Sequence, residues 1–290
     1  MPTLSPARVY RSDAGEIAVR SWCEQELGRA RDLSSLGAVV ADGRPTRVHT
    51  MPGGPATPVL LLSGAFLGSA NLIGAARVLA ADRPVLMADL PGLPGTSDSR
   101  RPSRPIGYGD WLDALLPLVT SDPVIVLGHS TGAAAALTAL PSPLVAGMLL
   151  VNPAGLAAPA SDAEYMRASL AWRISPTWRA GSRLLDTLSA PRPAGSGSHP
   201  LTGWATLVGR HCRSCPVPGL LRGEDFRDWT GKPVVVATGA HDRLMTPALL
   251  GSPARRLLGT DVHVIEDAGH LAPYEAPERV RDLLREVDRG

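Results

Sequence analysis

Six short apolar runs, each ended by a turn containing glycine, proline or aspartate, constrain this 290-residue chain more than any other feature. Four lie in its first half: "PVLLLSG" (58–64), "RPVLMADLPG" (83–92), "PVIVLG" (123–128) and "AGMLLVNPAG" (146–155). Two lie near its end: "KPVVVATG" (232–239) and "DVHVIED" (261–267). Such continuous runs read as strands buried on both faces. Between them come segments with helical spacing: 69–82, 108–119, "AAAALTAL" before Pro141, 247–259 and 277–289. Strands that alternate with helices predict an α/β fold, a mostly parallel sheet with helices on both faces.

The alternation stops from 154 to 230. That block is rich in Pro, Gly and Ser, has no clear strand, and holds four of the six tryptophans: Trp172, Trp178, Trp204 and Trp229. It reads as a cap or lid inserted between two halves of one core, 1–153 and 231–290. "PRPAGSGSHP" (191–200) reads as a mobile loop. Residues 1–50 are polar and mixed; "GEIAVRSWCEQELGRA" predicts a leading helix, and "TRVHT" a short strand.

Composition removes several function classes. A net charge of +2 makes no electrostatic case for nucleic acid. No run of about 18 apolar residues predicts a membrane span. The first residues lack the apolar core of a secretory signal, so the expectation is a cytoplasmic protein. Of 29 Lys and Arg residues only Lys232 is lysine, the mark of GC-rich, bacterial-type coding. "HCRSC" carries Cys212 and Cys215 beside His211, but Pro216 and Pro218 follow at once and no second ligand pair exists. Two reduced thiols in an irregular segment fit better than zinc or redox chemistry. No metal or organic cofactor is implied.

"IVLGHSTGAAAALTAL" (125–140) passes from strand to helix through Ser130 with almost no turn. Such a bend needs a strained residue and small neighbours at −2 and +2, supplied by Gly128 and Gly132. It would lift the Ser130 hydroxyl above the C-terminal edge of the sheet, over the free N–H groups of a helix start. G-x-S-x-G alone is weak; between a strand and a helix it outweighs the plainer reading of Ser130 as an ordinary N-cap. A serine needs a base, and the base an orienting acid. His270 follows the last strand in "EDAGHLAPYEAPE", and Asp242 follows the preceding one in "ATGAHDRLMTP". All three are expected on one sheet edge.

These motifs resemble the α/β-hydrolase superfamily over about 56–152 and 231–290. "LLLSGAF" is similar to its oxyanion loop, "DLPGLPGTSD" to the segment after the next strand, and "GHSTG" to the nucleophile elbow. "GAHD" is similar to the acid turn and "AGHLAPYEAPE" to the histidine loop. The resemblance implies an eight-stranded sheet, a helical cap, and backbone oxyanion donors at Ala65 and Thr131, with Phe66 as a substitute for Ala65. Many relatives carry His-Gly where this chain has Ser63-Gly64. The hole is built from backbone N–H groups, so the exchange is expected to leave it intact. In some relatives the acid follows an earlier strand; here that place holds Asn152, so Asp242 keeps the role. Glu266 and Asp267 are expected to face solvent.

Other polar residues carry plainer readings. His129 is expected to be part of the elbow's framework, and His241 to shape the acid turn. Asp89 and Ser97 hold a loop. His211 lines the cap, and the arginines of "SRRPSRP" (99–105) form a solvated loop near the pocket rim. Trp172, Trp178 and Trp204 pack the cap, with some facing the site.

The expectation is a serine hydrolase that cleaves an ester, thioester or lactone of a bulky apolar small molecule, free or carrier-bound. Acyl transfer, cyclisation or elimination at the same site is the alternative, and a non-catalytic binder of this fold the second. Epoxide hydrolases and haloalkane dehalogenases, which resemble this fold, use an aspartate where this chain has Ser130.

Overall fold

The computed structural model describes residues 8–102, 107–160, 162–193, 195–213 and 219–289. Its strands are β1 (Ser34–Ala41), β2 (Arg44–Met51), β3 (Val59–Leu62), β4 (Val85–Ala88), β5 (Val124–His129), β6 (Val145–Val151), β7 (Val234–Gly239) and β8 (Val262–Ile265). They form one eight-stranded sheet in the order β1-β2-β4-β3-β5-β6-β7-β8. β2 pairs antiparallel with β1 and with β4; every other pairing is parallel. The six apolar runs became β3 to β8. β3, β4 and β5 are buried at every position, as continuous hydrophobic runs require when helices cover both faces.

The helices are α1 (Asp13–Arg29), α2 (Ile73–Ala80), α3 (Gly107–Val119), α4 (Thr131–Thr138), α5 (Ala163–Ile174), α6 (Trp178–Leu188), α7 (Thr202–His211), α8 (Pro247–Leu258), α9 (Ala272–Glu275) and α10 (Pro277–Arg289). α3 packs on α4, and α10 packs on α2 and α9. α10 shows why its sequence was legible: Val280, Leu283, Leu284 and Val287 bury one stripe, and charged residues fill the rest.

Two features differ from the sequence reading. β1 was not anticipated. Two serines open it, a bulge at Gly37 interrupts it and only Ala41 is buried, so it lacks the continuous apolar signal of the inner strands. Asp42 and Gly43 join it to β2, both at positive φ (46° and 68°), the hairpin turn that Asp-Gly favours. α1 is also more than a leading helix. It packs on α7 and on residues 69–71, and Trp22 stacks on Trp204 at 4.7 Å.

The chain leaves β3 toward β4 on one side and then returns to β5 on the other. The sheet order therefore reverses between β3 and β5. Loops following two such strands diverge and leave a crevice at their C-terminal ends. Residues 64–66 and Ser130 border that crevice.

Candidate active site

Ser130 sits at φ 50°, ψ −110°, a conformation that non-glycine residues rarely hold. Its surroundings enforce it. The Ser130 N–H donates to Val151 O at 3.0 Å, and its carbonyl accepts from Ala133, Ala134 and Ala154. A Cβ on Gly132 would lie 2.2 Å from Leu62 O, and one on Gly128 2.6 Å from Ala133 Cα. β3, β5 and α4 meet too closely for any other residue at those positions.

His270 and Asp242 meet Ser130 on this edge. His270 Nε2 lies 3.1 Å from Ser130 Oγ, and His270 Nδ1 lies 2.9 Å from Asp242 Oδ2. Asp242 Oδ1 accepts the Leu244 and Met245 amides at 2.8 and 3.0 Å, and Oδ2 accepts Asn152 Nδ2–H at 2.7 Å. Burial pushes the Asp242 carboxyl up. The His270 charge and hydrogen bond and the two amides outweigh it and hold it at about 2. An ionised Asp242 only accepts, so His270 Nδ1 carries its proton and Nε2 presents a lone pair to Ser130.

His129 is a buried strut. Its Nδ1 accepts the Gly64 N–H at 3.2 Å and its Nε2–H donates to His270 O at 2.7 Å, tying the loop after β3 to the histidine loop. Those bonds specify a neutral ring. Burial, then the His270 charge, hold its pKa down at about 3. The unfolded chain takes up this proton near 6.5 and the folded one only near 3. Stability should therefore fall as pH drops through that interval. His129→Ala should unpair two buried backbone groups, cost about 1–3 kcal/mol for each, and flatten this part of the profile. Denaturant unfolding between pH 7 and 4 checks both.

The amides of Ala65, Phe66 and Thr131 donate to no acceptor among the described residues. Ala65 and Phe66 lie in the loop after β3, and Thr131 is the first residue of α4, whose opening N–H groups have no helical partner. A cavity of about 200 Å³ opens beside Ser130. Phe66, Tyr165, Trp172, Leu184, Leu188 and Val208 line it, among others.

The geometry sorts the expected site residues. Ser130, His270, Ala65, Phe66 and Trp172 border the cavity; Asp242 stands behind His270. Trp178 and Trp204 do not border it. Trp178 is exposed and donates to Ser198 Oγ. Trp204 is fully buried, and its Nε1 donates to Phe66 O at 2.7 Å, so it holds the loop rather than facing the cavity. His211 lies outside the lining, and its carbonyl accepts the Arg11 N–H. Arg100 pairs with Asp98 and Arg101 donates to Gly92 O, both away from the cavity; Arg104 lies outside the described residues. Asp89 accepts four hydrogen bonds from Ser69 and Thr96, the structural part expected of it. Ser97 Oγ accepts the Arg47 N–H. His241 N–H donates to Ala268 O, which ties the turn after β7 to the loop after β8, and Glu266 and Asp267 are exposed. Cys212 is buried and lines the cavity; Cys215 lies outside the described residues. Among the described residues no group of His, Cys, Asp or Glu is arranged to hold a metal, and no helix is long and apolar enough to cross a membrane.

The sequence matches the model of the alpha/beta hydrolase family over residues 52–283. The chain belongs to that family. Solved structures agree on the fold. Carboxylesterase CesB from Bacillus subtilis superposes with a TM-score of 0.72 at 14% identity, covering 94% of this chain and 98% of that one. Naproxen esterase (carboxylesterase NP) from Bacillus subtilis gives 0.71 at 17%, covering 95% and 98%. The esterase EaEST from Exiguobacterium antarcticum gives 0.64 at 18%, covering 88% and 99%. No curated protein sequence matches.

Within this alpha/beta hydrolase, several supporting residues escaped sequence reasoning. Asn152 was noted only as unable to be an acid. Its φ of 48° turns its amide onto Asp242, Thr238 Oγ1 and Gly269 O together. An Asn directly after an apolar run is the available signal, since Asn tolerates positive φ. Glu275, half-buried, clamps the histidine loop through the Gly269 amide and the segment after α6 through the Ala190 amide. Nothing in "YEAPE" signals that.

Proposed function

We propose that this alpha/beta hydrolase cleaves carboxylic esters through an acyl-enzyme on Ser130. The observation that carries the reading is the continuous chain from Ser130 Oγ to His270 to Asp242, at 3.1 and 2.9 Å, on a cavity edged by unused amides. Ser130 Oγ attacks the carbonyl carbon of an ester, thioester or lactone as His270 Nε2 takes its proton. The carbonyl oxygen becomes an oxyanion facing the Thr131 amide and that of Ala65 or Phe66. Each such donor is worth roughly 3–4 kcal/mol in comparable sites. His270 then protonates the leaving oxygen or sulfur as the tetrahedral intermediate collapses. Water, deprotonated by the same nitrogen, releases the acid and restores Ser130. Asp242 stabilises the imidazolium in both half-reactions. A fluorophosphonate probe should label Ser130; labelling at another serine overturns the assignment.

Residues 154–230 act as a cap that selects substrate size. The support is that α5, α6 and α7 contribute Tyr165, Trp172, Leu184, Leu188 and Val208 to the cavity wall. A bulky apolar acyl or alcohol portion fits such a wall. Trp172→Ala should lower kcat/KM for a bulky ester relative to an acetate ester, by roughly 1–3 kcal/mol in the ratio. Trp178→Ala, at an exposed position outside the lining, should leave that ratio unchanged. Equal ratios in the wild type and Trp172→Ala remove the cap reading for this residue.

A further inference from the structure

Three arginines, Arg11, Arg173 and Arg213, all exposed to solvent, are among the residues that line the cavity beside Ser130, and no Asp or Glu is. Arg11 and Arg213 come from two segments that lie antiparallel. Tyr10 bridges Cys212, the Arg11 N–H donates to His211 O at 2.8 Å, and the Arg213 N–H to Val9 O at 2.7 Å. Each side chain is tied across that bridge by its Nε, Arg11 to Cys212 O at 2.9 Å and Arg213 to Tyr10 O at 3.4 Å. The contact is close for Arg11 and loose for Arg213, and it leaves the Nη1/Nη2 edge of each guanidinium, a fork that matches a carboxylate or phosphate. Arg173 stands on α5 at helical spacing from Tyr165 and Ser169, which also line the cavity.

Arginines on neighbouring elements are neutralised by the chain itself. Arg8 pairs with Asp13 and Glu16, Arg20 with Glu16, Arg192 with Asp186, and Arg243 with Asp162 and Glu164. Arg11, Arg173 and Arg213 have no carboxylate partner among the described residues. Three like charges around one partly apolar cleft repel one another, less strongly for their exposure to solvent, and give its mouth a positive potential. An anion in the cavity relieves that repulsion.

We propose that the substrate carries an anionic group, a carboxylate or a phosphate, which Arg11, Arg173 and Arg213 hold while its ester lies at Ser130. This rests on the reading of Ser130 as nucleophile. The apolar wall then receives the chain between the two ends.

The test titrates Ser130→Ala protein by calorimetry with dimethyl adipate, monomethyl adipate and methyl 6-phosphonooxyhexanoate. The two charged esters should bind roughly 10- to 100-fold tighter than the neutral one, the range expected for hydrogen bonds to a charged group. The preference should shrink with added salt. The tighter of the charged pair identifies which anion the fork takes. Arg11→Gln and Arg213→Gln should each reduce the preference by roughly 10-fold, and Arg11→Lys should restore part of it in a protein of unchanged circular dichroism. Equal affinity for all three esters, or no measurable binding of the charged pair, overturns the proposal. Failure of the serine hydrolase reading looks different: the wild type would bind the charged esters preferentially and leave all three uncleaved.

Discussion

Ser130→Ala should lower kcat by roughly 10⁶-fold, the loss seen when a triad nucleophile is removed from a comparable hydrolase, and should abolish fluorophosphonate labelling. The fold should survive. Ser130 holds positive φ through four backbone hydrogen bonds, none of which uses its hydroxyl. Alanine at this position meets the same backbone strain as serine. Among the described residues the only side-chain bond removed is the one to His270 Nε2, worth about 1 kcal/mol. Unfolding midpoints of the two proteins should therefore differ little while their rates differ by orders of magnitude. An alanine variant that retains ester hydrolysis would mean that Ser130 is not the nucleophile.

Asp242→Asn should lower kcat by roughly 10⁴-fold, and here the hydrogen-bond partners say why. The side chain must keep an oxygen against the Leu244 and Met245 amides. Its new NH₂ then faces His270 Nδ1 and Asn152 Nδ2. His270 can accept that donor only by moving its own proton to Nε2. The ring then points N–H at Ser130 and takes no proton from it. Asn152 Nδ2 retains Thr238 Oγ1 and Gly269 O but loses its charged partner. The variant should also be less stable at neutral pH, by about 1–3 kcal/mol. Acid behaviour separates the two proteins further. With its pKa depressed to about 2, Asp242 contributes stability that is full above the ordinary carboxylate range and is lost as pH falls toward 2. The asparagine variant should lack that loss. An unchanged kcat in Asp242→Asn, with a large loss on replacing Glu266 or Asp267, would reassign the acid.

Where sequence reasoning succeeded, the determining physics was local. An apolar run of the right length between turn residues is a strand wherever it sits in the sheet, buried in β3 to β6, half-buried at the start of β7 and largely uncovered in β8 at the sheet edge. Gly128, Ser130 and Gly132 lie within five residues of one another; Gly128 allows the close approach of a strand to its own following helix, and Gly132 that of the helix to the neighbouring β3. His270 and Asp242 were legible because each ends a strand, and parallel strands put their C-terminal ends on one edge. β1 was not legible: opened by two serines, bulged beside Gly37 and buried only at Ala41, it is held by its hairpin partner rather than by its own burial.

The lining of the cavity was decided by tertiary structure alone. Trp172, Trp178 and Trp204 look alike in the sequence, yet one lines the cavity, one faces solvent and one holds the Phe66 carbonyl. Which way each points follows from how α5 to α7 dock on α1 and on one another, and no periodicity within a helix encodes that docking. The arginines show the same limit. Those of 99–105 looked nearest the site by chain position, but Arg100 and Arg101 bond within their own loop. Arg11 and Arg213 are brought to the cavity by a bridge between the two ends of a 201-residue separation. A backbone pairing that distant leaves no spacing in the sequence to read.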